Sequence, residues 1–313
     1  MEGYSWTKED FPLTMPERRQ GRDIEDFLPQ SAAAKFVRTN GINLHAVVAG
    51  PADGVPVVLL HGFPEFWYGW RHQIPTLVDA GYRVIAPDQR GYNRSDKPGE
   101  ISAYTVDNPV RDAVGLLEAL GHDAAHFIGH DWGAGVVWQL LLRYPEYVDR
   151  AVTINAPHPE VYRNYFTRKP SQIMKSWYIF FFQFPMLPEV LWSAADWRGL
   201  RWFIDTSNRD ATFTEEDLSR YRTSWERPGA FTGMINWYRA MVRKSVEPPP
   251  KNEVDRPTML LWGTEDPYLH SRMASQSIER CLHGRLELLR DGTHWVQHEA
   301  SERINRLILE FLG

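Results

Sequence analysis

His126-Phe127-Ile128-Gly129-His130-Asp131-Trp132-Gly133-Ala134-Gly135 reads as a short apolar strand that runs into a glycine-flanked aspartate and then into a helix. The glycines at 129 and 133 have a steric reason. A chain reversing from strand to helix at Asp131 holds that residue in a sparsely populated backbone state, and side chains two positions away on either side would collide with the turn. The turn leaves the Asp131 carboxylate at a helix N-terminus, where backbone N–H groups favour negative charge. Aspartate is also a common helix N-cap, so the residues around this stretch decide whether it does chemistry.

On both sides, short β-branched runs alternate with longer helical patterns, the signature of βαβ units and a largely parallel sheet. Eight strands are expected, over 35–39, 44–49, 57–60, 83–86, 125–128, 151–154, 258–262 and 286–289. Helices are expected over 110–120, from 136 to 144 and over 303–311, where Ile304, Leu307, Ile308 and Phe311 share a face. The alternation breaks after Pro157. From 159 to 246 no strand pattern is convincing, and the segment gives helical pieces rich in Trp, Tyr and Phe. Glu247-Pro248-Pro249-Pro250-Lys251 is then a stiff, extended linker. The reading is an α/β core in two parts, 1–158 and 247–313, with a helical cap over 159–246 and an N-terminal arm over 1–30.

Two polar residues fall at the ends of later strands. Asp266, in Gly263-Thr264-Glu265-Asp266, follows the seventh, and His294, in Gly292-Thr293-His294-Trp295, follows the eighth. Glu265 is an alternative acid, but the Gly-x-x-Asp spacing lets Asp266 reach back over the sheet edge. The chain order is therefore nucleophile, acid, histidine, with Asp131 in the small-x-nucleophile-x-small turn that more often carries serine. Ligands bind at this edge of a parallel sheet. His61-Gly62-Phe63-Pro64 follows the third strand as a fixed turn, compatible with a cis X–Pro bond. In this arrangement the N–H groups of Phe63 and Trp132 form an oxyanion hole.

These four motifs resemble the soluble epoxide hydrolases of the α/β-hydrolase superfamily, and the resemblance covers nearly all of the chain from Lys35 to Gly313. It implies the α/β-hydrolase fold, a mostly parallel eight-stranded sheet flanked by helices with an inserted helical cap. Haloalkane and haloacetate dehalogenases share the same motifs, so the cap discriminates. Trp177-Tyr178-Ile179-Phe180-Phe181-Phe182-Gln183-Phe184-Pro185 is similar to the family segment carrying one ring-opening tyrosine, here Tyr178. Asn236-Trp237-Tyr238-Arg239 is similar to the segment carrying the second, Tyr238. Haloacetate dehalogenases have a halide-binding histidine–tryptophan pair where this chain has Tyr178 and Ile179. The resemblance further implies a substrate pocket walled by His61, Pro64, Trp177, Trp237 and Trp295. Asp88-Gln89-Arg90-Gly91-Tyr92-Asn93-Arg94-Ser95 is similar to a family loop read as structural, with Gly91 at a turn.

The implied reaction turns an epoxide into a vicinal diol through an ester on Asp131. Tyr178 and Tyr238 protonate the leaving oxygen, and His294, oriented by Asp266, activates water to hydrolyse the ester. A haloalkane dehalogenase with the same nucleophile is the alternative enzyme. It needs a second halide donor besides the Trp132 indole, which a cap tryptophan could supply. A ligand receptor that keeps the fold without catalysis is the non-enzymatic alternative, disfavoured because nucleophile, acid, histidine and both tyrosines are present together.

Composition narrows the class. The 313 residues carry a net charge of −5, against a nucleic-acid binder, which would show a basic face. The single cysteine, Cys281, allows no intrachain disulfide and carries no reactive motif; a plain helix position is expected for it. Residues 1–30 lack the apolar run of a signal peptide, and no stretch reaches the length of a membrane span. A soluble, cytoplasmic protein is expected, with an apolar epoxide and water as its partners and no cofactor or metal.

Overall fold

The computed structural model describes residues 32–209 and 212–313, so the arm expected over 1–30 lies outside the described residues. The strands are β1 (Ala33–Thr39), β2 (Ile42–Ala49), β3 (Pro56–Leu60), β4 (Arg83–Pro87), β5 (Ala125–His130), β6 (Val148–Ile154), β7 (Thr258–Gly263) and β8 (Gly284–Leu289). They form one sheet in the order β1-β2-β4-β3-β5-β6-β7-β8. Only the β1–β2 and β2–β4 pairs are antiparallel. All eight expected strands are present. β5 runs on through Gly129 and His130, which pair with Thr153 and Ile154 of β6 although neither residue signals a strand.

The central strands read as unbroken apolar runs because both faces are covered. Val57, Val58 and Leu59 of β3 and Met259, Leu260 and Leu261 of β7 are fully buried. The edges differ. β1 is mostly exposed, and β8 puts Arg285 and Glu287 along the other rim, charges that blunt an open edge. Helices α1 (Gln73–Asp79), α2 (Asp107–Ala119), α3 (Trp132–Arg143), α10 (Arg272–Ile278), α11 (Val296–Glu299) and α12 (Ser301–Leu312) flank the sheet. The sequence pattern did not signal α1 or α10. Both are short, and α1 carries Pro75, tolerated because it sits in the first turn, where no backbone donor is needed.

Between β6 and β7 the chain is helical: α4 (Pro159–Arg168), α5 (Pro170–Lys175), α6 (Trp177–Phe181), α7 (Leu187–Asp205), α8 (Glu215–Trp225) and α9 (Ala230–Arg243). α7 is broken at Ala194–Trp197, where Ala195, Asp196 and Trp197 have positive φ. Arg239 of α9 ties the layer together. It donates to Phe182 O and Phe184 O, both at 2.9 Å, and pairs with Glu189 at 2.7 Å. The layer meets the core where two glycines touch: a Cβ on Gly233 would lie 2.6 Å from Gly91 O. Cys281 falls just past α10, not within a helix; burial pushes its thiol up to about 12.

The turn after β5 carries the expected backbone state. Asp131 has φ 48° and ψ −119° and is the N-cap of α3. A Cβ on Gly133 would lie 1.9 Å from Leu60 O, and one on Gly129 would lie 2.5 Å from the Gly133 carbonyl carbon. Backbone cannot yield to that overlap cheaply. Gly133→Ala is therefore expected to cost about 1–3 kcal/mol or more, read from the urea midpoint against wild type. Unchanged stability would show that the β3–α3 contact is not rigid.

Candidate active site

Four strand ends converge at one edge of the sheet. His61 follows β3, Asp131 follows β5, Asn155 follows β6 and Asp266 lies three residues beyond β7. His294 comes from the loop after β8. Its Nδ1 lies 2.8 Å from Asp266 Oδ2 and its Nε2 lies 3.4 Å from Asp131 Oδ1. The aspartate at 266 therefore fixes the tautomer: Nδ1 carries the shared proton and Nε2 faces Asp131.

The two carboxylates have opposite surroundings. Asp266 is buried and saturated with donors: the His294 ring, the Asn155 amide at 2.6 Å, Tyr268 N–H at 2.7 Å and Leu269 N–H at 2.9 Å. Burial opposes its charge, yet His294 and these donors hold the carboxyl below its ordinary value. Asp131 accepts from the backbone N–H of Trp132 and otherwise faces a cavity of about 240 Å³. Burial likewise opposes a charged His294, but Asp266 and Asp131 outweigh it and push its pKa up to about 10. That shift favours the protonated ring, an imidazolium lying between two carboxylates.

Tyr178 of α6 and Tyr238 of α9 line the same cavity as Asp131 and His294. Their rings meet edge to face, with centroids 5.7 Å apart. Burial raises both hydroxyls well above the ordinary tyrosine value, reinforced by Tyr162 and Asp131 at Tyr178 and by Asp131 and Tyr178 at Tyr238. Both therefore keep their hydroxyl protons near neutral pH. The turn at Gly62 packs directly on the aspartate, since a Cβ there would lie 2.4 Å from Asp131 Cβ. The Phe63–Pro64 peptide is cis, and the Phe63 N–H has no acceptor among the described residues.

The expected pocket wall is different. His61, Pro64, Trp237 and Trp295 are committed to the structure behind the cavity. The His61 ring is fully buried, its Nε2 accepting from Gln89 N–H at 3.0 Å. Pro64 O accepts from the Trp225 indole at 2.7 Å. The indoles of Trp237 and Trp295 donate to Arg90 O at 3.0 Å and Ser207 Oγ at 2.9 Å. Trp177 is half exposed on the outer face. The wall is made instead by Tyr162, Ile179, Met241, Tyr268 and Leu269, with Gln139 as a polar member. Trp132 is the one tryptophan among the described residues that lines it.

The sequence reading also missed a second buried network. Glu65 accepts from Tyr221 Oη at 2.6 Å, His298 Nε2 at 2.8 Å and Gln297 Nε2 at 3.3 Å, and lies 3.3 Å from His130 Nδ1. His130 Nε2 in turn donates to the carbonyl of His294 at 2.8 Å. Burial penalises the Glu65 charge, but the His298 and His130 rings hold its carboxyl well below the usual range. A lone glutamate one residue past a proline carries no sequence signal; only the fold brings residues 221, 297 and 298 to it.

The model of the alpha/beta hydrolase fold family matches residues 55–301. The AB hydrolase superfamily protein YfhM of Bacillus subtilis is 47% identical over 89% of this chain and 97% of its own length. Epoxide hydrolase 4 of Mus musculus is 37% identical over 88% of this chain and 78% of its own. A mutant epoxide hydrolase from Bacillus megaterium, solved in complex with a naphthyloxy-propane-diol product, superposes with a TM-score of 0.82. It is 31% identical and matches 89% of this chain and 99% of that one.

Glu65→Gln keeps the shape but turns an N–H₂ toward donors. It is expected to destabilise by about 1–3 kcal/mol, measured by denaturant unfolding. A change below about 0.5 kcal/mol would mean that the carboxylate does not hold this network together.

Proposed function

The chain belongs to the alpha/beta hydrolase fold family, and on that premise we propose that it is an epoxide hydrolase working through a covalent ester on Asp131. One observation carries the reading: a carboxylate, an imidazole and two buried phenols face one mostly apolar cavity. Relatives and structural neighbours that are epoxide hydrolases, one of them holding a diol product, support it.

In the first step a carboxylate oxygen of Asp131 attacks an epoxide carbon. The ring C–O bond breaks, and the departing oxygen takes a proton from Tyr178 or Tyr238 while the other phenol donates a hydrogen bond. The phenols suit this because burial keeps their protons on. In the second step water attacks the ester carbonyl. The N–H groups of Phe63 and Trp132 receive the oxyanion, worth roughly 3–4 kcal/mol for each donor. The imidazolium's proton passes to the tyrosinate left by the first step; His294 Nε2 then takes one proton of the water, the acyl C–O bond breaks, and the water's other proton goes to the departing alkoxide, so that the diol leaves and Asp131 is a carboxylate again.

An imidazolium cannot act as that base, so the order of events matters. Alkylation turns Asp131 from an anion into a neutral ester. His294 then loses one of the two carboxylates that hold its proton, and its pKa falls from about 10. The nucleophile's own reaction thus readies the base for the next step. Residues 159–246 act as the cap that supplies both phenols and excludes water. The haloalkane reading loses support because no second indole lines the cavity among the described residues. The Trp132 indole is itself within reach of the Tyr238 hydroxyl.

Single turnover of styrene oxide in heavy-oxygen water should put the label into Asp131 and not into the diol. Label found directly in the diol would end the covalent scheme. Tyr178→Phe combined with Tyr238→Phe should block alkylation of Asp131, followed by mass; alkylation at the normal rate removes the tyrosines from the mechanism. The pH dependence has a definite sign. Below the pKa of His294 in the ester the ring is protonated and cannot accept a proton, so ester hydrolysis should speed up as pH rises, with a midpoint below about 10. Rapid-quench rates that fall as pH rises would contradict this.

A further inference from the structure

One corner of the helical layer, from α5 to the start of α7, presents an apolar outer face. Met174, Trp177, Phe180, Phe184, Met186 and Leu187 are all exposed, and Val190 and Leu191 continue the patch along α7. Within α6, Trp177, Phe180 and Phe181 recur at helical spacing and share a side, with Met174 of α5 before them and Phe184 just past the helix end. Phe181 joins the helices by touching Trp177 at 6.3 Å and stacking on Trp192 at 6.0 Å. A contiguous exposed apolar face of this kind marks an interaction surface.

Charge says what it meets. The chain is net negative, yet residues 161–187 hold Arg163, Arg168, Lys169 and Lys175 and no Asp or Glu. Arg243 reaches the same edge, donating to Gln183 Oε1 at 3.0 Å, with Lys244 beside it. Arg163, Arg168, Lys169, Arg243 and Lys244 are exposed, and none is in an ion pair among the described residues. We propose that this face docks on an anionic lipid bilayer, its aromatic and aliphatic side chains entering the interface and its cations meeting lipid phosphates. A second copy of the chain fits worse, because pairing like faces would set these uncompensated cations against one another. No helix of the described residues is long and apolar enough to cross a membrane, so the contact is peripheral.

A groove on this face is lined by Lys175, Trp177, Trp202, Thr206, Pro267 and Tyr268. Tyr268 also lines the Asp131 cavity. Docking would bring the site close to where an apolar substrate dissolves. That consequence rests on the epoxide reading, but docking itself is measured without substrate, so its failure leaves that reading untouched.

The test is co-sedimentation with vesicles of phosphatidylcholine containing about 30 mol% phosphatidylglycerol, against phosphatidylcholine alone. The wild-type protein should bind the anionic vesicles, and about 0.5 M sodium chloride should weaken binding. Phe184→Glu with Met186→Glu, and separately Arg168→Glu with Lys169→Glu, should each lower the partition coefficient about tenfold or more. Both pairs should leave diol formation from dissolved styrene oxide unchanged, since they touch only exposed positions. Absence of wild-type binding, or equal binding by both variants, overturns the proposal. So do dimers in sedimentation velocity that the Phe184→Glu, Met186→Glu pair dissolves, which would assign the face to a second copy.

Discussion

The backbone can come close to itself around Asp131 only because three positions lack a side chain. Gly62 lies against the aspartate, Gly133 against Leu60 O, and Gly129 against Gly133. This contact locks the end of β3, the end of β5 and the start of α3 into one rigid unit. It holds Asp131 at positive φ, aims its carboxylate into the cavity and places the Trp132 N–H against it. Strain of this kind persists only where the surroundings over-determine it, and here the buried β3, β5 and β6 strands do so.

Around that unit, chemically equal groups are given unequal surroundings. Asp266 is saturated by four donors and is fixed in orientation, while Asp131 faces the cavity and is held only by the Trp132 N–H and, at 3.4 Å, by the His294 ring. One carboxylate can therefore orient a ring and the other can react, a division set by environment alone. Glu65 is a third buried carboxylate, one layer further back. It organises His130, Gln297 and His298 behind the loop carrying His294. A buried charge is costly unless paired, so the site stands on two fully partnered acids that keep a less partnered one in place.

The helical layer between β6 and β7 serves two environments with one stretch of sequence. Within α6, Tyr178 and Ile179 face the cavity, while Trp177 and Phe180 face outward. A helix that is apolar on both sides is covered on both sides or meets an apolar partner. This is why an aromatic-rich segment yields both the phenols of the site and an outer patch with cationic flanks.

The strands, the turn at Asp131 and the pairing of Asp266 with His294 were legible in the sequence, because each depends on local pattern: apolar runs, glycines at fixed offsets, and polar residues at strand ends. Tyr178 and Tyr238 were legible only through resemblance, since periodicity alone cannot separate a cavity phenol from a core one. The pocket wall was misread for the same reason. Trp237 and Trp295 sit beside cavity or triad residues in sequence, but their indoles point backward to Arg90 O and Ser207. Tertiary structure alone decided which aromatic faces looked inward, and it alone assembled Glu65 with residues more than 150 positions away. Helical and strand periodicity fixes which side chains share a face; what that face meets is set by packing against distant parts of the chain.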